Sequence, residues 1–182
     1  DLGGRYHASL LSAAESPALI AWAKGLGIRA TASTSIAHLT LNETDIGAYR
    51  TFFKLSPPLR AEADRLALVD AVKTGAVDVI VSNHDPQDVE TKRLPFAEAA
   101  DGVIGLETFL SAGLRLVHGG SLTLLRLIDA MSTRPAEIAG LDAGTLRKGA
   151  PADVVVFDPE EPWVLNAKDI LSKAKNTPYD GA

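Results

Sequence analysis

No cysteine occurs in the 182 residues. That excludes a disulfide framework and a thiolate nucleophile or metal ligand. Methionine occurs once, at Met131, and the chain opens on Asp1. We therefore expect an N-terminal part of a longer protein to precede it. The start, Asp1-Leu2-Gly3-Gly4-Arg5, lacks the apolar core of a signal peptide. No apolar run approaches the roughly 20 residues of a membrane helix. Basic residues are outnumbered, 18 Lys and Arg against 23 Asp and Glu, for a net charge of −5. Such a balance argues against a nucleic-acid footprint. These features together fit a cytoplasmic protein.

What remains is ordinary for a globular domain. The chain is 46% hydrophobic and 23% charged, and long enough for a real core. Residues 5–11 (RYHASLL) read as a short strand. Ser12 with Glu15 three residues on has capping-box spacing. A helix over residues 14–25 follows, with Leu19, Ile20, Trp22 and Ala23 as its apolar stripe. Residues 28–33 read as a second strand that ends in a polar loop holding His38. Asn42 to Asp45 opens a helical turn. Pro57 and Pro58 exclude a helix across Phe52–Arg60, because two donors are lost and φ is fixed. Residues 61–74 show the spacing of an amphipathic helix, with Leu66, Leu68, Val69 and Val72 inward.

The next stretch organises the rest. Val77 to Val81 is a short apolar run of the kind that forms a buried parallel strand. It stops abruptly in Ser82-Asn83-His84-Asp85-Pro86-Gln87. Polar residues at the C-terminal end of such a strand sit where α/β proteins place their sites. The strand–helix alternation up to here is that of parallel βαβ units. From Val103 onward the pattern turns helical, over residues 104–117, 121–131 and 134–139, with Pro135 at a helix start. After Gly140 the style changes again. Gly144 to Asp153 is turn-rich, Val154–Phe157 and Trp163–Leu165 read as short strands, and residues 173–182 as an extended tail. We place a boundary here, with residues 1–141 as an α/β unit and 142–182 as part of a small β-subdomain and a tail.

The residues around Asn83 carry a resemblance. Dihydroorotases and neighbouring cyclic amidohydrolases end their last strand in a segment like T-D-H-A-P-H, then show E-K, P-F and a G-x-x-G-x-E helix start. The matching text is Ser82 to Gln87, Glu90-Thr91-Lys92, Pro95-Phe96 and Gly102 to Glu107. Gly144 to Asp158 likewise resembles the family's G-x-L-x-x-G-x-x-A-D-x-V-x-x-D pattern. The resemblance implies the C-terminal part of a metal-dependent TIM (β/α)8 barrel, with strands six to eight, the helices that follow and part of the β-subdomain. It implies zinc as the family cofactor. The family's H-x-H ligands, carboxylated lysine and strand-five histidine belong to segments that this sequence does not contain.

Carried over residue by residue, the resemblance keeps the frame and changes the chemistry. The strand-six pattern Y-H-x-x-H falls on Tyr6-His7-Ala8-Ser9-Leu10, so Leu10 stands at a metal-ligand position. The M-N-P-P-L-R loop falls on Leu55 to Arg60, so Ser56 replaces a substrate-binding Asn. Asn83 replaces the strand-eight Asp, a metal ligand and proton shuttle. An amide is nearly non-basic and cannot take a proton from water. Gln87 replaces a substrate-binding His. The family's last loop contact falls on Asp101-Gly102, of which Gly102 matches.

Three functions follow as expectations. The first is hydrolysis of a cyclic amide C–N bond, with dihydroorotate and N-carbamoyl-aspartate as the family pair in pyrimidine biosynthesis. We expect this chain to be impaired in it and to bind no zinc. The second is a non-catalytic subunit, resembling dihydroorotase-like proteins that support aspartate carbamoyltransferase. The third is another cyclic amide, met by Ser56 and Gln87. Homo-oligomerisation is a further expectation, because three strands leave a sheet edge open.

The remaining polar residues have plainer readings. His84 reads as a hydrogen-bonded strand-end histidine, with ligand orientation as the alternative. His7 is read as structural, His38 as a loop or solvent residue, and His118 as a helix C-terminal residue that suits the dipole. Asp85 and Asp88 read as loop caps, although either could supply acid–base chemistry. Arg60 reads as an anion contact or a surface ion pair. Lys92 and Arg93 read as a solvated loop face.

Overall fold

The computed structural model describes residues 3–182. Its centre is a parallel sheet in the order β1-β2-β3, formed by Tyr6–Ala8, Ala30–Ser35 and Val79–Val81. The registers pair Tyr6 with Ala30 and Ser33 with Val79. Parallel neighbours joined by helices are the arrangement the alternating pattern predicts. The first strand is shorter than expected at both ends, the second starts and ends two residues later, and the third starts two residues later. Residues 9–11 leave the ladder because Leu10 takes a left-handed backbone, φ 54°, while Leu11 N still donates to Ser33 O at 2.8 Å.

The central strand β2 is buried along nearly its whole length. Its side chains are small, and the polar ones each find a partner. Thr34 Oγ1 donates to Leu11 O at 2.7 Å. Ser35 Oγ accepts from His38 N and bonds His38 Nδ1.

Helices α1 (Ser16–Gly25) and α3 (Glu62–Thr74) are the β-to-β crossovers. In α3, Leu68, Val69 and Val72 are buried as expected, but Leu66 is exposed. Helix α1 corrects the stripe assigned to it. Pro17 and Ile20 are buried, whereas Leu19 and Trp22 are each 66% exposed. The expected capping box is also not made. Glu15 takes the N-cap position without a side-chain bond, and Ser12 Oγ instead accepts from Arg60 Nε at 3.3 Å.

A short helix α2 (Ile36–Thr40) follows β2 directly and is nearly all buried, so the polar loop expected there is absent. Ile36 and Leu39 pack with Leu68 and Val72 of α3, and with Val77, Ile80, Val103 and Leu127, in one core. Each such side chain contributes about 1.5–3 kcal/mol by leaving water. The turn at Asn42 is a 3-10 helix, Glu43–Ile46, closed by an Asn42–Asp45 capping box. Gly75 ends α3 at φ 84°, a left-handed stop that glycine adopts without a Cβ clash.

After β3 come α4 (Val89–Arg93), α5 (Phe109–His118), α6 (Leu124–Ile128) and α7 (Arg134–Ala139). A π turn, Asp129–Thr133, joins the last two. Helix α5 starts later than residue 104 because Gly105 is pressed against the Ser82 carbonyl. A Cβ there would collide with backbone.

Past residue 142 the described residues form no strand. Val154–Phe157 and Trp163–Leu165 lie outside any ladder, and Val154, Val155 and Val156 are exposed. Apolar β-branched runs need a partner strand to pair with, and none of the described segments pairs with them. No helix of the described residues is long and apolar enough to cross a membrane.

A buried ionic knot closes the N-terminal end of the sheet. Asp78, 4% exposed, accepts from Lys24 Nζ at 2.8 Å and Ala32 N at 2.9 Å. Arg134 approaches it at 3.4 Å.

Candidate active-site face

The positions singled out in the sequence lie where the parallel strands end. Leu10 follows β1 and Asn83 follows β3, with backbone φ of 54° and 47°. Left-handed backbone is rare outside glycine and tends to occur where surrounding structure imposes it. At Leu10 the ladder exit imposes it, since Leu10 N donates to Ser33 Oγ at 3.3 Å. That serine also bonds His7 Nε2 at 3.2 Å, while His7 Nδ1 meets Thr31 Oγ1 at 2.8 Å. His7 is therefore engaged with β2, as a structural histidine is.

Ser56 lies in an exposed loop, next to a cis bond to Pro57. His38 ties that loop to the end of β2. Its Nε2 donates to Pro57 O at 3.0 Å and its Nδ1 accepts from Ser35 Oγ at 2.7 Å. This overturns the reading of His38 as a loop or solvent residue, because the ring is 2% exposed. Burial pushes its pKa below the usual histidine value, chiefly through desolvation.

The segment after Asn83 is held by backbone amides. Gly105 and Leu106 N–H groups both approach His84 Nδ1, at 3.4 and 3.2 Å. Nδ1 is thus the acceptor, and the ring proton sits on Nε2. Asp85 and Gln87 pair through Gln87 Nε2 and Asp85 Oδ1 at 2.7 Å. Asp88 caps α4 by accepting from Glu90 N at 2.8 Å. Gln87 lines a cleft of about 430 Å³ shared with Phe52, Asp88, Lys92 and Asn176.

Asp101 and Gly102 come back against this loop. Asp101 is 3.6 Å from Lys54 Nζ, and Gly102 N donates to Lys54 O at 2.9 Å. Gly102 has φ 121°, and a Cβ there would lie 2.7 Å from Asp85 Cγ and 2.8 Å from Gln87 Nε2. Only glycine fits. Lys54 thus joins Asp101 and Gly102 to the loop that leads to Ser56, and Gly102 lies against Gln87. No protein hydrogen bond reaches the Asn83 side chain among the described residues.

Lys92 corrects another expectation. It is 3% exposed, not part of a solvated face. Its Nζ donates to the carbonyls of Thr51, Lys54 and Ala100 at 3.0, 3.4 and 2.7 Å. Desolvation depresses its pKa to about 8. Arg93 does sit at the surface, paired with Glu90 at 2.8 Å. Arg60 forms no ion pair among the described residues and instead holds Ser12. His118 ends α5 as expected and lies 3.6 Å from Glu160.

The donor set does not suit a metal ion. Leu10 has no donor atom, and the Asn83 amide is a poor ligand and no base. Both ring nitrogens of His7 and of His38 meet protein partners, as does Nδ1 of His84. No group of three or more His, Asp or Glu among the described residues is placed to hold a metal. The residues present at these strand ends therefore do not fit the zinc expected for the family.

Comparison with known proteins then fixes the lineage. The amidohydrolase family model matches residues 6–180. The chain belongs to the amidohydrolase family. Among curated relatives of this amidohydrolase, the dihydroorotase of Geobacter metallireducens is 40% identical over 175 residues, which is 96% of this chain and 41% of the relative. That of Anaeromyxobacter dehalogenans is 41% identical over 98% of this chain and 42% of its own length. Among solved structures, L-hydantoinase from Arthrobacter aurescens superposes with a TM-score of 0.93 at 28% identity, over 98% of this chain and 41% of that one. A D-hydantoinase gives 0.88 at 25% identity, over 99% and 41%. The fold is thus an α/β amidohydrolase fold of the cyclic amidohydrolase kind. The chain spans about two fifths of the length of the relatives it matches.

Two residues of this face escaped sequence reasoning, Lys92 as a buried tie and Asn176. The E-T-K-R segment looks solvated by composition. Asn176 lies in a polar tail with no local signal.

Proposed function

We propose that this chain is the C-terminal part of a dihydroorotase-type cyclic amidohydrolase in which the strand-six and strand-eight side no longer supplies metal ligation or proton transfer. On this reading residues 1–141 are barrel strands six to eight with their helices, and 142–182 belong to the flanking subdomain. The observation that carries it is the pairing of a shared backbone conformation with side chains that cannot ligate or act as a base. Positions 10 and 83 both take a left-handed backbone, at the ends of the two outer strands of the sheet, yet carry leucine and asparagine. Losing a positioned base alone costs about 10²–10⁴-fold in rate. A five- or six-membered cyclic amide such as dihydroorotate remains the ligand class, met by Ser56, Gln87, Asp101 and Gly102. A non-catalytic role in the cytoplasm beside a carbamoyltransferase is consistent with the altered strand ends.

The test is zinc content and dihydroorotate turnover of the purified full-length protein. We expect substoichiometric zinc and no turnover. A full zinc complement with turnover overturns the reading and restores an ordinary hydrolase.

A further inference from the structure

Asn176 lies in the C-terminal segment, 74 residues beyond Gly102 and 91 beyond Asp85. Its side chain is 2% exposed. Oδ1 accepts from Gln87 N at 3.3 Å. Nδ2 donates to Asp85 O and to Gly102 O, both at 3.1 Å. One carboxamide therefore joins the loop after β3 to the segment that returns through Gly102. These two segments also meet through Asp85 N to Val103 O at 2.8 Å, through the Gly105 and Leu106 amides on His84 Nδ1, and through side-chain contact against Gly102.

We propose that Asn176 is a positioning residue for the ligand face, holding Gln87 and Gly102 in the register at which they meet a bound cyclic amide. The assignment rests on the proposed function for the ligand, but not for the clamp itself. An amide suits the task because the junction presents one N–H and two carbonyls, and a carboxamide offers one acceptor and two donors. No other uncharged side chain except glutamine has that inventory, and glutamine is one methylene too long for a site this closed.

The tail does not depend on this side chain to stay in place. Upstream, Leu171 and Ser172 N–H groups donate to the Glu107 carboxylate at 2.8 and 3.0 Å. Downstream, Tyr179 OH meets Thr40 Oγ1 at 2.7 Å. Ile104 N donates to the Asn176 carbonyl at 3.1 Å. Removing the carboxamide therefore frees the loop while leaving the tail docked, and this separates positioning from general stability.

The experiment is residue-resolved amide hydrogen exchange on the protein and on Asn176→Ala and Asn176→Asp. Alanine removes all three bonds. Aspartate keeps the acceptor but sets a carboxylate against two carbonyls. In the unmodified protein the Gln87 amide should be protected. In both variants Asp85, Gln87 and Gly102 should exchange about tenfold faster or more, as expected for losing a buried hydrogen bond. Leu171, Ser172 and the α3 amides should keep their rates. Tyr179→Phe should loosen the tail end and leave the loop unchanged. A Gln87 amide that already exchanges freely in the unmodified protein overturns the proposal without any variant. So does acceleration of the loop and α3 in parallel, or no change at the loop. Calorimetry with dihydroorotate gives the second readout, with affinity expected to fall about tenfold in Asn176→Ala. If the unmodified protein binds no dihydroorotate, the substrate assignment fails, and the exchange pattern still decides the clamp.

Discussion

Replacing Lys92 with methionine sets two opposing effects against each other. Burying the ammonium depresses its pKa from 10.5 to about 8. At 1.36 kcal/mol per pH unit this is a cost of about 3 kcal/mol at neutral pH, which methionine removes. The opposing cost is the loss of three donations. Thr51 O keeps the Lys54 amide and Lys54 O keeps the Gly102 amide. Only the Ala100 carbonyl loses its single protein donor among the described residues. One stranded carbonyl costs about 1–3 kcal/mol. Lys92→Met should therefore be within about 2 kcal/mol of neutral at pH 7. The pH dependence is the sharper result. The folded pKa lies below the unfolded one, so between them the unfolded chain binds more protons and folding strengthens as pH rises. From pH 7 to 9.5 the unmodified protein should gain about 2 kcal/mol through this group, a gain the methionine variant lacks. Urea unfolding of both proteins at the two pH values measures it, and other titrating groups cancel in the difference. Two proteins whose unfolding free energies move in parallel with pH would refute the reasoning.

Asp78→Ala should cost about 3 kcal/mol in urea unfolding, because it strips the buried Ala32 N–H of its acceptor and Lys24 of its counter-charge. A smaller effect than Asp142→Ala, at an exposed ion pair, would contradict the role given to the knot. Gly102→Ala should cost about 1–3 kcal/mol through its left-handed backbone and the Asp85 contact. The isolated chain should self-associate at micromolar concentration in sedimentation runs, since β1 has one free edge beside exposed Leu19, Trp22, Leu26 and Ile28. A monodisperse monomer would count against that. In the full-length protein, Leu10→His with Asn83→Asp should raise zinc occupancy measured by elemental analysis, and unchanged occupancy would sink the assigned ligand positions.

The sequence made the elements legible where a strong local pattern coincided with tertiary demand. The apolar run before Ser82 became β3, and the α3 spacing buried Leu68, Val69 and Val72. Resemblance marked Gly102, and the structure supplies the reason, a backbone φ of 121° that side chains rarely adopt. Failures came where burial is decided by distant partners. Trp22 reads as core by type, yet it is 66% exposed on α1. Val154 to Val156 reads as a strand, yet no segment offers a ladder. Lys92 reads as solvent-facing, yet three carbonyls from two segments, Thr51 and Lys54 in one and Ala100 in the other, enclose it. His38 lay in a string of small polar residues. Its one local signal was Ser35, whose Oγ caps α2 by accepting the His38 amide.

On the proposed function, Leu10 and Asn83 are positions where the frame is kept and the chemistry changed. A left-handed leucine costs roughly 1–2 kcal/mol, and asparagine less, since its side chain tolerates that region. Leu10 is not part of the main core, so its own packing does not offset the strain. The conformation is held from outside, by Ser33, whose carbonyl takes the Leu11 amide and whose hydroxyl takes that of Leu10. At position 83 the neighbouring segment does the same work, with His84 bridged to Val103 and its ring held by two amides. Backbone geometry at both strand ends is therefore set by the sheet and its loops, not by what the side chain does. Substituting the side chain changes ligation and basicity while leaving the position of Cα and the direction of Cβ in place. The same independence makes reversal by two substitutions a fair test, because the backbone that would aim a histidine and an aspartate is already there.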